Sequence, residues 1–579
     1  MARIGADIIV EALHKENVEV LFGYPGGSVL DSFDKLFQSD IKFILGRHEQ
    51  GLTHMADGYA RTTGKPGVVI VTSGPGATNT VTGLATAYMD SVPMVVFTGQ
   101  VPSSMIGNDA FQEADVTGIT RPITKHNYLV KDVNELPEII KEAFFLATSG
   151  RPGPVLIDLP KDVQRAECSV PYPDDIDSKT YKPTYEGNPL QIKKAAEAIK
   201  KAKRPVAYVG GGAIISGANK EVYEFIKKTG IPITTTLLGI GSFPESEPES
   251  LKMLGMHGTR YANYAVMKSD LLIAIGARFD DRVTGKTSEF APHAKVIHID
   301  IDPTSISKNI KADIPVVGDV KKVLIELNKV VEKPEIEEWR KTIFDWKDKH
   351  PLAFKKDSPE ILPQEVIAAI NELVDGDAII CTDVGQHQMW ATHFIDYKNP
   401  RSFLSSGGLG TMGYGLPASI GAKIAAPDKI VFNICGDGGF QMNMQELTAA
   451  AVNKVPVISI ILNNEYLGMV RQWQELFYDR KYAMTCLRRK AECPADCSEP
   501  GEHCPPYIPD FVKIAEGCGC VAKRIMDRKE IIPALKEAIK ITTEDKQPVV
   551  LEFITTREQN VYPMVPAGAR LDDMLDSLA

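Results

Sequence analysis

Two short motifs in this sequence are suited to chemistry on a charged ligand: Gly436-Asp437-Gly438-Gly439 and Asn463-Asn464. A β-branched apolar run leads into each, residues 430–435 and 457–462, with a helix-like stretch between them. Asp437 and Asn464 are 27 residues apart, the length of one strand–helix–strand unit. Both are therefore expected at the carboxyl ends of neighbouring parallel strands, where open α/β sheets bind ligands. Glycines let the backbone approach a phosphate, and the helix start that follows favours an anion. Asp437 and Asn464 supply hard oxygen ligands for Mg²⁺, which completes its octahedron with phosphate oxygens and water. The pattern reads as a phosphate site with a Mg²⁺ ion.

The elements around these motifs follow one rhythm. Short β-branched runs at 68–72, 92–98, 155–158, 206–209, 271–275 and 296–300 read as strands, separated by helix-like stretches such as 52–61, 190–201 and 444–452. This is the pattern of parallel sheets covered by helices on both faces. Residues 166–188, with three prolines and little periodicity, read as a linker. Residues 332–363 hold a charged helix around Trp339 and Trp346, followed by prolines. The fold class is α/β, with three doubly wound parallel-sheet domains at 1–165, 189–331 and 362–579. Residues 67–99 and 429–462 both run strand, G-x-G, helix, Val-Pro, strand. The first and third domains thus read as copies of one fold, with Pro75 in the first where the third has Asp437.

Composition narrows the function classes. The 65 basic and 75 acidic residues leave a net charge of −10, which argues against a general nucleic-acid binder. No apolar run approaches the ~20 residues that span a bilayer. Residues 1–18 have the spacing of an amphipathic helix rather than a signal peptide, so a cytoplasmic location without membrane attachment is expected.

From G-D-G to N-N the sequence resembles the thiamine diphosphate enzymes. That resemblance implies that a diphosphate-binding domain works with the pyrimidine-binding domain of a second subunit, which contributes a glutamate. Glu49, in Gly46-Arg47-His48-Glu49-Gln50-Gly51 after residues 41–45, matches it. A carboxyl in a water-poor pocket can hold a proton and give it to the pyrimidine ring. Further stretches are similar to the acetohydroxyacid synthase family: Phe22-Gly23-Tyr24-Pro25-Gly26-Gly27, residues 102–112, Gly255-Met256-His257-Gly258-Thr259, residues 278–285, and Gly468-Met469-Val470-Arg471-Gln472-Trp473. The likeness covers essentially the whole chain.

The resemblance implies three cofactors: thiamine diphosphate, Mg²⁺ and FAD. For thiamine diphosphate it implies Glu49, Gln386, His387, Gly410, Met412, Gly438 and Gly439, with Met412 propping the cofactor into a bent shape. For the metal it implies Asp437, Asn464 and the backbone carbonyl of Tyr466. For FAD it implies Arg151, Gly211, Gly212, His257, Arg278, Asp300 and Asp319; the run Gly210-Gly211-Gly212 is by itself as consistent with a plain turn. Gly27 and Gln112 would polarise a substrate carbonyl or stabilise an alkoxide. Arg282 would bind a ketoacid carboxylate through its planar fork. Trp473, with Met469 and Val470 beside it on one helix face, would wall the alkyl group. Phe111 and Lys161 fit an access channel.

The implied reaction decarboxylates pyruvate and joins the remaining two-carbon unit to a second pyruvate, giving 2-acetolactate, or to 2-oxobutyrate, giving 2-aceto-2-hydroxybutyrate. These products feed branched-chain amino acid biosynthesis. The reaction has no net redox step, so the flavin would be structural. A homodimer or larger homo-oligomer and a separate regulatory small subunit are implied partners.

One stretch departs from the family. Six of the nine cysteines fall between Cys486 and Cys520, four spaced Cys486-x₆-Cys493-x₃-Cys497-x₆-Cys504, with His503 beside the last. Pro494, Pro500, Pro505, Pro506 and Pro509 oppose a helix, so 486–520 reads as a Cys-rich loop. A bound metal, a disulfide and free thiols all remain open. The expected role is to stiffen the approach to Trp473, apart from the cofactor chemistry.

Overall fold

In a computed structural model, residues 3–178, 180–355, 358–494, 497 and 504–576 are described. The β-branched runs form three six-stranded sheets in which every strand pair is parallel. Strands such as Gly67–Val71 and Leu271–Ile275 are buried at every position, as parallel strands covered on both faces must be. Numbering strands from the start of each sheet, the first and third share the order 2-1-3-4-6-5, and the middle sheet runs 6-5-4-1-2-3. The repeat seen between residues 67–99 and 429–462 is thus a repeat of topology. The middle order is that of a dinucleotide-binding sheet.

Each order contains a switch point, where neighbouring strands send their connections to opposite sides and open a crevice at the carboxyl ends. In the first sheet it lies between Val20–Tyr24 and Gly67–Val71, and in the third between Ala378–Thr382 and Ile430–Gly436. In the middle sheet it lies between Pro205–Val209 and Leu271–Ile275.

The first and third units share an apolar core. Helices Glu49–Thr63 and Gly415–Ala425 cross closely enough that a Cβ on Gly58 would sit 2.1 Å from the Ala418 carbonyl oxygen, and one on Gly421 1.8 Å from that of Met55. Residues 166–188 hold no helix or strand among those described. Helix Glu337–Lys349 packs on the middle core, where Trp339 Nε1 donates to the Pro205 carbonyl at 3.1 Å. Near the C-terminus, Val565 and Leu571 also join the middle core, and the Val565 N–H donates to the Met256 carbonyl at 2.8 Å.

The expectation of an unbroken loop over 486–520 is corrected. Helix Phe511–Gly517 starts where the Asp510 side chain caps it, and Cys520 is buried just before strand Val521–Ile525. No proline lies between Pro509 and the end of strand Val521–Ile525 to prevent this.

Candidate active site

In the third sheet, Asp437 follows directly on strand Ile430–Gly436, and Asn464 on strand Ile458–Asn463. The register pairs Gly436 with Leu462, which sets Asp437 level with Asn463, beside Asn464. Asp437 is fully buried, and burial raises its carboxyl to about 7. Oδ2 accepts a 2.7 Å hydrogen bond from the Tyr507 hydroxyl, while Oδ1 has no protein partner. Asn464 Oδ1 accepts from the Tyr466 N–H at 3.1 Å.

A small cavity of about 70 Å³ opens beside these groups, lined by Gln386, His387, Met412, Gly438, Gly439, Asn464 and Tyr466. A Cβ on Gly438 would lie 2.8 Å from Leu467 and 3.7 Å from Met412, and one on Gly439 2.2 Å from Asp383. Glycine at both positions keeps this cradle open to a close-approaching ligand. His387 is buried, and burial lowers its ring to about 4; it is neutral, and its Nε2 has no protein partner. Gln386 is held differently: its amide nitrogen donates to Gln472 Oε1 at 2.9 Å and to the Gln559 carbonyl at 2.8 Å.

Met412, Met469 and Val470 also line a second cavity, of about 770 Å³, over the carboxyl ends of the middle sheet. This volume lies in the range of cofactor sites. Gly211, Gly212, Arg278, Asp300, Asp319, His257, Arg151 and Gly410 all line it, as do Arg282 and Trp473. Arg151 Nε donates to Ser91 Oγ at 2.8 Å, and Arg151 also pairs with Asp302 at 3.3 Å. Asp300 Oδ1 accepts from the Asp302 N–H, and Asp319 caps helix Val320–Val330. Burial lowers His257 to about 3, so its ring is neutral, and Nδ1 has no partner. Helix Gly468–Phe477 presents Trp473, and the Arg282 guanidinium lies 5.7 Å from that ring's centroid.

A second group of residues lies elsewhere, at the carboxyl ends of the first sheet. Glu49 starts helix Glu49–Thr63, and its Oε2 accepts from Asn79 Nδ2 at 2.9 Å. A Cβ on Gly76 would lie 3.5 Å from Glu49 Oε1, and one on Gly74 would lie 3.0 Å from Gln112 Cα. Lys161 Nζ donates to the Gly27 carbonyl at 2.9 Å, and Phe111 is 87% exposed. Glu49, Gly27, Gln112, Phe111 and Lys161 line neither cavity.

Three residues that sequence reasoning passed over support the site. Asp383 ends its strand one switch point away from Asp437 and accepts from the Gly413 and Gly415 N–H groups at 2.9 and 3.1 Å, pinning the loop that carries Met412. Asp90 accepts from Gly407 N–H, Gly408 N–H and Arg61, tying that loop to the first unit. Tyr507 is the third. A strand-end acid followed by glycine, as in Asp383-Val384-Gly385, is a signal that could have found the first.

Among the described residues, no group of three or more His, Cys, Asp or Glu is arranged to hold a metal by itself. Cys486, Cys493, Cys497 and Cys504 are half-buried; Pro500 and His503 lie outside the described residues.

The unpartnered Asp437 Oδ1 and His387 Nε2, the glycine cradle and the apolar Met412 fit a diphosphate-bearing heterocycle with its metal ion. Family comparisons agree on the class. Models described as the N-terminal TPP binding domain, the central domain and the C-terminal TPP binding domain of thiamine pyrophosphate enzymes match residues 3–119, 192–327 and 383–553. Among curated proteins, the acetolactate synthase large subunit of Corynebacterium glutamicum is 49% identical, over 98% of this chain and 90% of that protein. The chloroplastic acetolactate synthase of Arabidopsis thaliana is 49% identical over 99% and 84%, and the isozyme 3 large subunit of Escherichia coli 44% over 98% and 98%. The chain belongs to the thiamine pyrophosphate enzymes and, among them, to the acetolactate synthase large-subunit family.

Proposed function

We propose that this protein is an acetolactate synthase, converting two pyruvates to 2-acetolactate and CO₂, or pyruvate and 2-oxobutyrate to 2-aceto-2-hydroxybutyrate and CO₂. The observation that carries the reading is the gathering of Asn464, Gly438, Gly439, Met412 and the Arg282–Trp473 pair around two cavities that share Met412, Met469 and Val470, with Asp437 buried beside the smaller one.

Asp437, Asn464 and the Tyr466 carbonyl would hold Mg²⁺, with Gly438 and Gly439 receiving the diphosphate and Gln386, His387 and Gly410 lining the remainder. Thiamine diphosphate, when bound, supplies the electron sink that a decarboxylation next to a carbonyl needs. FAD would fill the larger cavity against the middle-sheet glycines, with Arg151, Arg278 and the acids Asp300 and Asp319 at its polar groups and His257 alongside; its role there is structural. Arg282 would orient the carboxylate of the acceptor ketoacid, and Trp473, Met469 and Val470 would exclude water from its alkyl side.

Glu49 would hold a proton on its carboxyl for the pyrimidine ring. Gly27 and Gln112 would face the reacting carbonyl, and Phe111 and Lys161 the entrance. These five lie outside both cavities of their own chain, which favours a homodimer or larger homo-oligomer in which one copy's first unit completes its partner's site. The large-subunit names of the relatives favour a separate regulatory small subunit as partner. No helix among the described residues is long and apolar enough to cross a membrane, in keeping with a proposed cytoplasmic location.

The test is product analysis of purified protein with thiamine diphosphate, Mg²⁺ and FAD. Pyruvate alone should yield 2-acetolactate, and added 2-oxobutyrate should divert product to 2-aceto-2-hydroxybutyrate. Acetaldehyde as the main product, or flavin reduced in step with turnover, would overturn the reading in favour of a decarboxylase or an oxidase.

A further inference from the structure

The Cys-rich stretch meets the site at an atom its sequence does not announce. Tyr507 lies just past Cys504 and reaches back across the third sheet's carboxyl ends, where its hydroxyl donates to Asp437 Oδ2 at 2.7 Å. The front of the stretch is stitched to the second metal motif. Tyr466 and Cys486 form a β-bridge, the Leu467 N–H donates to the Thr485 carbonyl at 2.9 Å, and the Leu487 N–H to the Glu465 carbonyl at 2.8 Å.

Arg488 joins front to back: its guanidinium donates to Glu465 Oε2 at 3.0 Å and to the Pro505 carbonyl at 2.8 Å. Arg557 also pairs with Glu465, at 2.6 Å. Both ends of the stretch are therefore clasped to the ribbon that carries Asn464, and Tyr507 is the point where the clasp touches Asp437.

We infer that Tyr507 is a positioning residue for the metal ligand Asp437, seated by the Arg488 clasp. The inference rests on the assignment of Asp437 to Mg²⁺. A carboxylate at the start of a glycine-rich turn has rotational freedom. The Tyr507 hydroxyl takes Oδ2 and leaves Oδ1, which has no protein partner, as the oxygen that would be available to the ion. Partners of this kind hold a ligand in its binding orientation, and their loss typically weakens metal binding 10–100-fold. Residues 485–488 and 504–507, in and beside the Cys-rich stretch, then cap the metal half of the site, rather than serving only as a wall near Trp473.

The experiment is a calorimetric titration of Mg²⁺ into metal-free protein saturated with thiamine diphosphate. Tyr507→Phe is expected to raise the Mg²⁺ Kd about tenfold or more, with kcat recovering at saturating Mg²⁺ and the melting temperature of the metal-free protein unchanged. A Kd within twofold of the wild type overturns the inference alone. Wild-type protein that takes up no Mg²⁺ overturns the metal assignment itself. If Tyr507→Phe does not fold, Arg488→Gln replaces it: the same direction of change is expected, and an unchanged Kd overturns the inference.

Discussion

The guanidinium of Arg282, on the short helix Asp281–Thr284 of the middle unit, lies over the indole of Trp473, on helix Gly468–Phe477 of the third, with 5.7 Å between its central carbon and the ring centroid. Asp280 caps the first helix through the Arg282 and Val283 N–H groups. The Arg282 side chain remains 59% exposed, so it is stacked on the ring yet open to a carboxylate arriving from solvent. One residue thus offers charge and the other an apolar wall, at the mouth of the larger cavity.

Trp473→Leu is expected to preserve 2-acetolactate formation and lower the preference for 2-oxobutyrate over pyruvate. The two acceptors differ by one methylene, worth about 1–3 kcal/mol in an apolar pocket. A competition assay with both acceptors reads the product ratio directly, and an unchanged ratio places the selectivity elsewhere.

Glu49→Gln is expected to leave folding and cofactor binding nearly intact and to cut turnover by about 10²–10⁴-fold, the usual worth of a positioned acid–base group. The replacement is isosteric and keeps an oxygen for Asn79 Nδ2 to donate to. Proton exchange at the thiazolium carbon, followed by NMR, should slow sharply; exchange at the wild-type rate would refute the assignment.

Mixing inactive Glu49→Ala protein with inactive Asp437→Ala protein is expected to restore part of the activity. With the site shared between two copies as proposed, each hybrid dimer would contain one site with both residues intact, and Glu49 lines neither cavity of its own chain. No recovery after verified subunit exchange would count against a shared site.

Asp158 tests the electrostatics of the first sheet. Burial raises its carboxyl to about 7, although Thr98 Oγ1 and Gln100 Nε2 donate to it at 2.8 and 2.9 Å. A folded-state value above the ordinary one near 4 means that folding takes up a proton between about pH 4 and 7. The stability this residue contributes therefore falls as pH rises through that window, by up to about 1.4 kcal/mol per pH unit, and levels off above it. Asp158→Asn should gain melting temperature relative to the wild type from pH 5 to pH 8, measured by scanning calorimetry. A gap that does not change with pH would contradict this.

Much of the architecture was legible because parallel strands buried on both faces must be continuous apolar runs. Val69, Ile273 and Ile434 could be placed in strands on that ground alone. The repeat of strand, G-x-G, helix and strand foretold that the first and third sheets would share one order. The later part of the Cys-rich stretch was misread because prolines up to Pro509 suggested a loop throughout, whereas the Asp510 cap starts a helix immediately after them. Tyr507 was not legible at all. A tyrosine between prolines has no periodicity to mark it, and its partner Asp437 is 70 residues away.

The sequence by itself determined three sheets, the placement of Asp437 and Asn464 at adjacent strand ends, and a glycine cradle between them, since these depend on spacing along one strand–helix–strand unit. Only the tertiary structure decided what gathers around that unit. The Arg282–Trp473 contact, the Asp90 bonds that tie the Met412 loop to the first unit, and the absence of Glu49 from the lining of both cavities depend on how the three units are docked. Docking is set by close packing over large surfaces, such as the glycine-lined crossing of helices Glu49–Thr63 and Gly415–Ala425, and contacts so distant in sequence leave no local pattern behind.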